Sequence, residues 1–188
     1  MSSQITHLAV AKRFVEKHPN LIKDVKRFYD GNVVPDLEPN KALSHYGVRT
    51  EKHDMIKYNR EKVNPAKFLA THDMSDDFNK GWYLHLYVDY ECYNHFLAQY
   101  YQRATSGEQA SIDMYEVSRR DDKYLSEKYG VSYYDTNFGA ELQKINDEWD
   151  AECVAKRSRP DYGFNLPYDF ATLDRFIEQM AETEIPQK

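Results

Sequence analysis

From Gly81 to His95 the chain reads Gly-Trp-Tyr-Leu-His-Leu-Tyr-Val-Asp-Tyr-Glu-Cys-Tyr-Asn-His. It is an aromatic and aliphatic run broken by groups that ligate metals or move protons. His85 and Asp89 are four residues apart, which in a helix places one above the other on a single face. The stripe that carries them runs back through Phe78, Gly81 and Trp82 and forward through Cys92 and Phe96. Both polar groups are therefore expected to point inward. A buried, unpartnered carboxylate costs several kcal/mol, so something must compensate it. A metal ion suits imidazole and carboxylate together. A plain His–Asp hydrogen bond is the alternative that this pair alone leaves open.

The elements that must position these groups read as helices almost throughout. Residues 4–17 carry Leu8, Ala11, Phe14 and Val15 at helical spacing, with His7 on the same inward face as Val10, Ala11 and Phe14. Asn20 is a candidate cap for a second helix, which Gly31 is expected to end. Residues 32–39 hold Pro35 and Pro39 and read as an ordered loop containing Asp36. Residues 41–60 are ambiguous, with short helices divided near Gly47. Asn64-Pro65 is a cap and a favoured first helical residue. Asp76 or Asp77 opens a long central helix running to about Arg103, and Thr105-Ser-Gly107 breaks it. Further helices are expected over 109–128 and 135–157, then a loop at 158–167. Asp169 caps a last helix over Phe170, Leu173, Phe176, Ile177 and Met180. No alternation of period two competes. The fold class expected is all-α: one domain, 1–188, forming a bundle of six or seven helices.

Composition narrows the functions. The net charge is −6 and the pI about 5.6, which argues against a grip on nucleic acid. The 16 tyrosines supply rings for a core and hydroxyls for polar cavities. Cys92 and Cys153 fall within expected helices and indicate no disulfide framework. No secretory signal pattern is visible near the start and no apolar run reaches the roughly 20 residues of a membrane span. The expected compartment is the cytoplasm, with no membrane partner.

His7, Asp36, His45, His85 and Asp89 thus form an ordered set: a histidine on the first helix, a loop carboxylate, a histidine nine residues later, and a His-x3-Asp pair on a buried helix. Each is weak by itself, since a lone buried histidine is more often hydrogen-bonded core and a loop aspartate more often a turn or cap.

In Thr6-His7, Gly31-Asn-Val-Val-Pro-Asp36, Ser44-His45-Tyr46 and Gly81-Trp-Tyr-Leu-His85-Leu-Tyr-Val-Asp89 the chain resembles the zinc-dependent phospholipase C family, in particular its small cytoplasmic bacterial branch. The likeness covers roughly the first half; residues 104–188 carry no such motif. It implies an all-helical fold whose zinc ions hydrolyse phosphoesters. Asp36, His45, His85 and Asp89 would hold one ion. His7 would bind a second, with Asp89 bridging and so closest to the catalysis. His95 stands at the offset of a further family histidine, although a straight helix turns it about 80° from His85. Two departures accompany the likeness. The chain starts Met1-Ser2-Ser3 where secreted members expose a tryptophan, and no histidine follows His95 to supply the family's downstream His-x3-Glu or His-x3-Asp pair. One or two ions are therefore expected, zinc by preference, with manganese or iron(II) compatible with the same donors.

The function expected is hydrolysis of a small phosphoester by metal-activated water. Arg49 and Lys52 are candidate phosphate contacts and equally ordinary surface charges. Cys92, at i+7 from His85, is a conceivable thiolate ligand but a better core residue. Glu108, Asp113, Glu116 and Asp121 could replace the missing late ligands, although they read as solvated helix charges. Two alternatives belong to other classes. One is an HD-type phosphohydrolase built on His72-Asp73 with His45 and Asp121 or Asp122, the dipeptide recurring at His53-Asp54. The other is a non-enzymatic helical module with a structural metal or a buried His/Asp network.

Overall fold

A computed structural model of the chain describes residues 3–48, 62–103, 107–157 and 168–187. Among the described residues there are nine α-helices: α1 (Gln4–Lys17), α2 (Val25–Leu37), α3 (Lys41–Ser44), α4 (Pro65–Leu69), α5 (Asp77–Glu91), α6 (Ala98–Arg103), α7 (Gly107–Tyr129), α8 (Gly139–Arg157) and α9 (Phe170–Met180). A π-helical turn spans Cys92–Phe96 and a 3-10 turn Tyr133–Asp135. No strand forms among them; Tyr46 and Val63 make one isolated antiparallel bridge. The all-α expectation holds. The helices exceed the six or seven expected because α3, α4 and α6 are short pieces with too few turns to show periodicity. No described helix is long and apolar enough to cross a membrane.

Side-chain caps start the helices where orphan N–H groups need acceptors. Ser3 accepts from the Thr6 amide at α1, Asn64 from Lys67 at α4, Asp76 from Phe78 at α5 and Asp169 from Thr172 at α9. The second helix differs from expectation at both ends. Its cap is Asp24, which accepts from the Arg27 amide, and it continues through Gly31 and Pro35 to Leu37. Gly31 does not stop the helix because its missing Cβ serves packing: a Cβ there would overlap the Phe78 carbonyl of α5. Pro35 falls in the last turn, where its missing N–H removes a single bond. Asp36 is therefore helical. The central helix also departs from expectation, since its α-geometry ends at Glu91 and the π-helical turn intervenes before α6. Residues 49–61, 104–106 and 158–167, which include Arg49, Lys52, His53-Asp54 and the expected break and loop, lie outside the described residues.

The core forms around α1, whose residues Gln4 to Ala11 and Phe14 are all buried. It touches α2, α5, α7 and α9. Leu8 and Phe14 are fully enclosed, and burials of this kind stabilise by about 2 kcal/mol each. The amphipathic α9 contributes Leu173, Phe176, Ile177 and Met180 to the same core. At the rim Glu178 joins it to α1 through Arg13 and Lys17, at 2.8 and 2.9 Å.

The most extensive helix contact is between α2 and α5, and it has a regular step. The Asp24 amide donates to Asp77 Oδ2 at 2.8 Å. A Cβ on Gly81 would overlap the Phe28 carbonyl. The Asn32 carbonyl lies 2.8 Å from His85 Nδ1. Asp36 and Asp89 then flank one nitrogen, His45 Nε2, at 3.8 and 3.5 Å. Four-residue rows on both helices meet in this way, running in the same direction. That spacing is the ridge geometry of close-packed helices.

Candidate metal centre

His7, Asp36, His45, His85 and Asp89 come together at the α1, α2 and α5 contact. The three imidazoles are completely buried, Asp89 is 1% exposed and Asp36 4%. His7 Nε2 lies 3.4 Å from Asp89 Oδ1, and its ring stacks on His85 with centroids 3.8 Å apart. Asp89 Oδ2 lies 3.5 Å from His45 Nε2 and 3.9 Å from His85 Nε2. The two ring nitrogens His45 Nε2 and His85 Nε2 are 3.2 Å apart. Two overlapping triads have ligand atoms close enough to share an ion: His7, His85 and Asp89, and Asp36, His45 and His85.

A second set of groups aims the first. His85 donates Nδ1–H to the Asn32 carbonyl. His45 Nδ1 meets Ser44 Oγ at 2.8 Å, and Asp36 Oδ2 accepts from Gln4 Nε2 at 3.1 Å. His45 ends α3 and is pinned by its neighbours: Trp82 Nε1 donates to the Ser44 carbonyl and the Asn64 amide to the His45 carbonyl, both at 2.9 Å. The next residue, Tyr46, has φ +60, a conformation that L residues seldom adopt and that surrounding structure must impose. Gln4 was not singled out by the sequence, and Asn32 and Ser44 entered only as neighbours within the family motifs, with no role assigned. Gln4 carried a signal, standing three residues before His7 on one helix face; the role of Asn32 is played by its main chain and carried none.

Electrostatics favour a cation here. Burial, reinforced by His7, pushes the His85 imidazole down to about 3, so the ring is neutral at physiological pH. With Nδ1–H committed to a carbonyl, its Nε2 is a lone pair. At Asp89 burial works upward, but hydrogen bonds from His45 and His7 hold the carboxyl well below its ordinary range. At Asp36 burial is likewise outweighed, by His85, Lys41 and His45, and the carboxyl lies below its usual value. His45 Nε2 therefore faces three electron-rich atoms, His85 Nε2, Asp89 Oδ2 and Asp36 Oδ1, and a single N–H can serve only one. Asp36 Oδ1, though buried, accepts no hydrogen bond. Imidazole nitrogens and carboxylates are a donor set for zinc, manganese or iron(II). Each of the two triads could hold a metal ion.

Comparison of the chain with models of known protein families, with curated proteins and with solved structures finds no match.

Other residues singled out in the sequence lie elsewhere. His95 does not join the five: its side chain is 67% exposed, with Glu91 at 3.7 Å. The π-helical turn leaves it facing outward. His72 and Asp73 also stand apart. His72 stacks on Phe68, its Nε2 meets the Tyr46 hydroxyl at 3.1 Å and its Nδ1 the Phe68 carbonyl at 3.1 Å. Asp73 accepts from the amide and hydroxyl of Ser75. Both imidazole nitrogens are thus engaged, and neither His72 nor Asp73 belongs to a candidate metal group among the described residues. Cys92 is buried and its thiol is pushed up to about 12 by burial, which keeps it protonated in the core. Asp113 and Asp121 are not solvated as their pattern predicted. Each is 2% exposed, and each meets a tyrosine hydroxyl at 2.5 Å, from Tyr100 and Tyr168 respectively.

Proposed function

We propose that the protein is a metal-dependent hydrolase of a small phosphoester, with its ion held by His7, Asp36, His45, His85 and Asp89. The observation that carries this reading is the convergence of three imidazoles and two carboxylates in two overlapping buried triads, with His45 Nε2 facing more electron-rich atoms than one N–H can serve. Structural zinc sites are usually closed tetrahedra of four ligands, commonly with thiolates. A five-residue set of nitrogen and oxygen donors is closer to hydrolytic centres. The ordered likeness to zinc-dependent phospholipases C supports the same chemistry.

When bound, such an ion lowers the pKa of water toward 7 and polarises a phosphoryl oxygen. The chain's own residues orient and insulate that chemistry. Asn32 and Ser44 fix the two imidazoles that face each other, and Gln4 turns one Asp36 oxygen aside so that the other faces His45. Asp89, with one oxygen near His7 and the other near His45 and His85, is the residue able to join both triads. His85 cannot, because its Nε2 offers one lone pair.

A second reading rests on a specific observation: all five side chains are shut away from solvent, as in a structural site. Metal content by plasma mass spectrometry separates the outcomes, on protein purified without chelator and on His85→Ala. One or two equivalents, lost in the variant, together with turnover of p-nitrophenyl phosphate or its diester, support the hydrolase. Metal without turnover, combined with collapse of the fold in Asp89→Ala, selects the structural reading. Protein that neither contains nor takes up zinc, manganese or iron overturns both.

A further inference from the structure

Lys41, the first residue of α3, has an ammonium group beside the cluster. Its Nζ donates to the carbonyls of Asp36 at 2.5 Å and Pro35 at 3.3 Å, and lies 3.5 Å from Asp36 Oδ1. Two features set it apart from the other groups that touch the five. Gln4, Asn32 and Ser44 are buried, whereas the Lys41 side chain is 27% exposed, so it alone among these four connects the cluster with solvent. It is also the one fixed cation among them. Asp36 and Asp89 bring two negative charges into a dry interior, a divalent ion cancels them, and Lys41 leaves the loaded centre with one positive charge. A buried net charge is costly unless a counter-ion joins it.

We propose that Lys41 is the anion-capturing residue of the centre, holding a phosphate oxygen at the solvent side of the loaded site. This rests on the metal reading given above. The ammonium now sits at the C-terminal end of α2, where helix carbonyls attract cations. Those carbonyls give it a resting place from which a phosphate can draw it, since an ammonium–phosphate bond joins two opposite charges whereas its bonds to carbonyls are charged on one side only.

The test uses inorganic phosphate on zinc-loaded full-length protein, followed by titration calorimetry. Zinc binding is measured first, without phosphate. Lys41→Met should keep its zinc and lose phosphate affinity about tenfold or more, the equivalent of one charged hydrogen bond; Lys41→Arg should restore most of it. A second measurement avoids reliance on variants: in the wild type, phosphate should protect Lys41 from reductive methylation when zinc is bound and not when it is absent. Zinc uptake with equal phosphate affinity in wild type and Lys41→Met, or no protection of Lys41, overturns this assignment and leaves the hydrolase reading standing. Failure of the wild type to bind zinc overturns both.

Discussion

His85 donates its Nδ1–H to the main-chain carbonyl of Asn32 at 2.8 Å. That bond is one step in the contact of α2 with α5, and it depends on the step before it, where Gly81 lets the Phe28 carbonyl approach. His45 and Asp36 are likewise placed by contacts from outside the cluster, with Ser44 and Gln4, made before any metal is considered.

Substitution of Gly81 by alanine tests the dependence. A Cβ there meets the Phe28 carbonyl and stands 2.9 Å from the Asn32 amide, both main-chain atoms that cannot rotate away. The helices must part, at a cost of about 3 kcal/mol. Urea denaturation should show this loss, and zinc uptake should fall with it. A variant as stable as the wild type would mean that the helices are less closely set than described.

Ser44→Ala removes the hydroxyl that meets His45 Nδ1 without adding bulk. Loss of a group that orients a ligand commonly costs about 10-fold to 100-fold in metal affinity. Competition with a chromophoric chelator should show zinc affinity falling by about tenfold, with the helical circular dichroism unchanged. Undiminished affinity would remove Ser44 from the site.

Asp122 gives a pH dependence of unusual sign. Burial outweighs the hydrogen bonds from Ser3 and Tyr133 and pushes its carboxyl up to about 7. The folded state thus holds a proton that the unfolded chain releases near 4. Its favourable contribution is complete below about pH 4 and is lost as pH rises through about 7. Asp122→Asn should match the wild type at pH 4 and exceed it above neutrality, by up to about 4 kcal/mol. Denaturation at several pH values reads this directly; parallel curves for the two proteins would contradict it.

Glu178 behaves in the opposite way. Hydrogen bonds from Arg13 and Lys17 lower its carboxyl to about 2, so its contribution is present above its ordinary range and disappears as pH falls toward 2. The group is 40% exposed, and solvent screens it. Glu178→Gln should therefore cost about 1 kcal/mol or less near neutrality, and less still in high salt. Thermal melts at two ionic strengths check both parts.

The helical class was legible from spacing along each segment, as were the inward faces of His7 and of the His85–Asp89 pair, whereas Asp36 and His45 were reached through the ordered set and the family likeness. His85 and Asp89 repeat at four residues within an apolar stripe, and His7 shares a face with Val10, Ala11 and Phe14. What was not legible depends on partners distant in sequence. Gly31 and Pro35 are helix breakers by their local chemistry, and only the crossing of α5 explains why α2 continues through them. Asp113 and Asp121 look like surface charges until Tyr100 and Tyr168 are seen to cover them. His95 was misplaced because it was taken from a family offset against the helical spacing, which already turned it about 80° from His85; it faces outward, its side chain 67% exposed.

The two helices of the central contact tolerate change unequally. At its first three steps α2 offers main-chain atoms: the Asp24 amide, the Phe28 carbonyl and the Asn32 carbonyl. At Phe28 the main chain alone is asked for, whereas Asn32 also donates its side-chain amide to the Gly81 carbonyl at 3.2 Å and Gly31 must lack a Cβ beside Phe78. On α5 the matching positions need a carboxylate, a glycine and an imidazole, each irreplaceable in kind. A single residue inserted between Gly81 and His85 would swing everything beyond it by about 100°, turning His85 and Asp89 away from α1 and α2. A change of length on α5 thus erases the site as surely as a change of residue at Gly81 or His85.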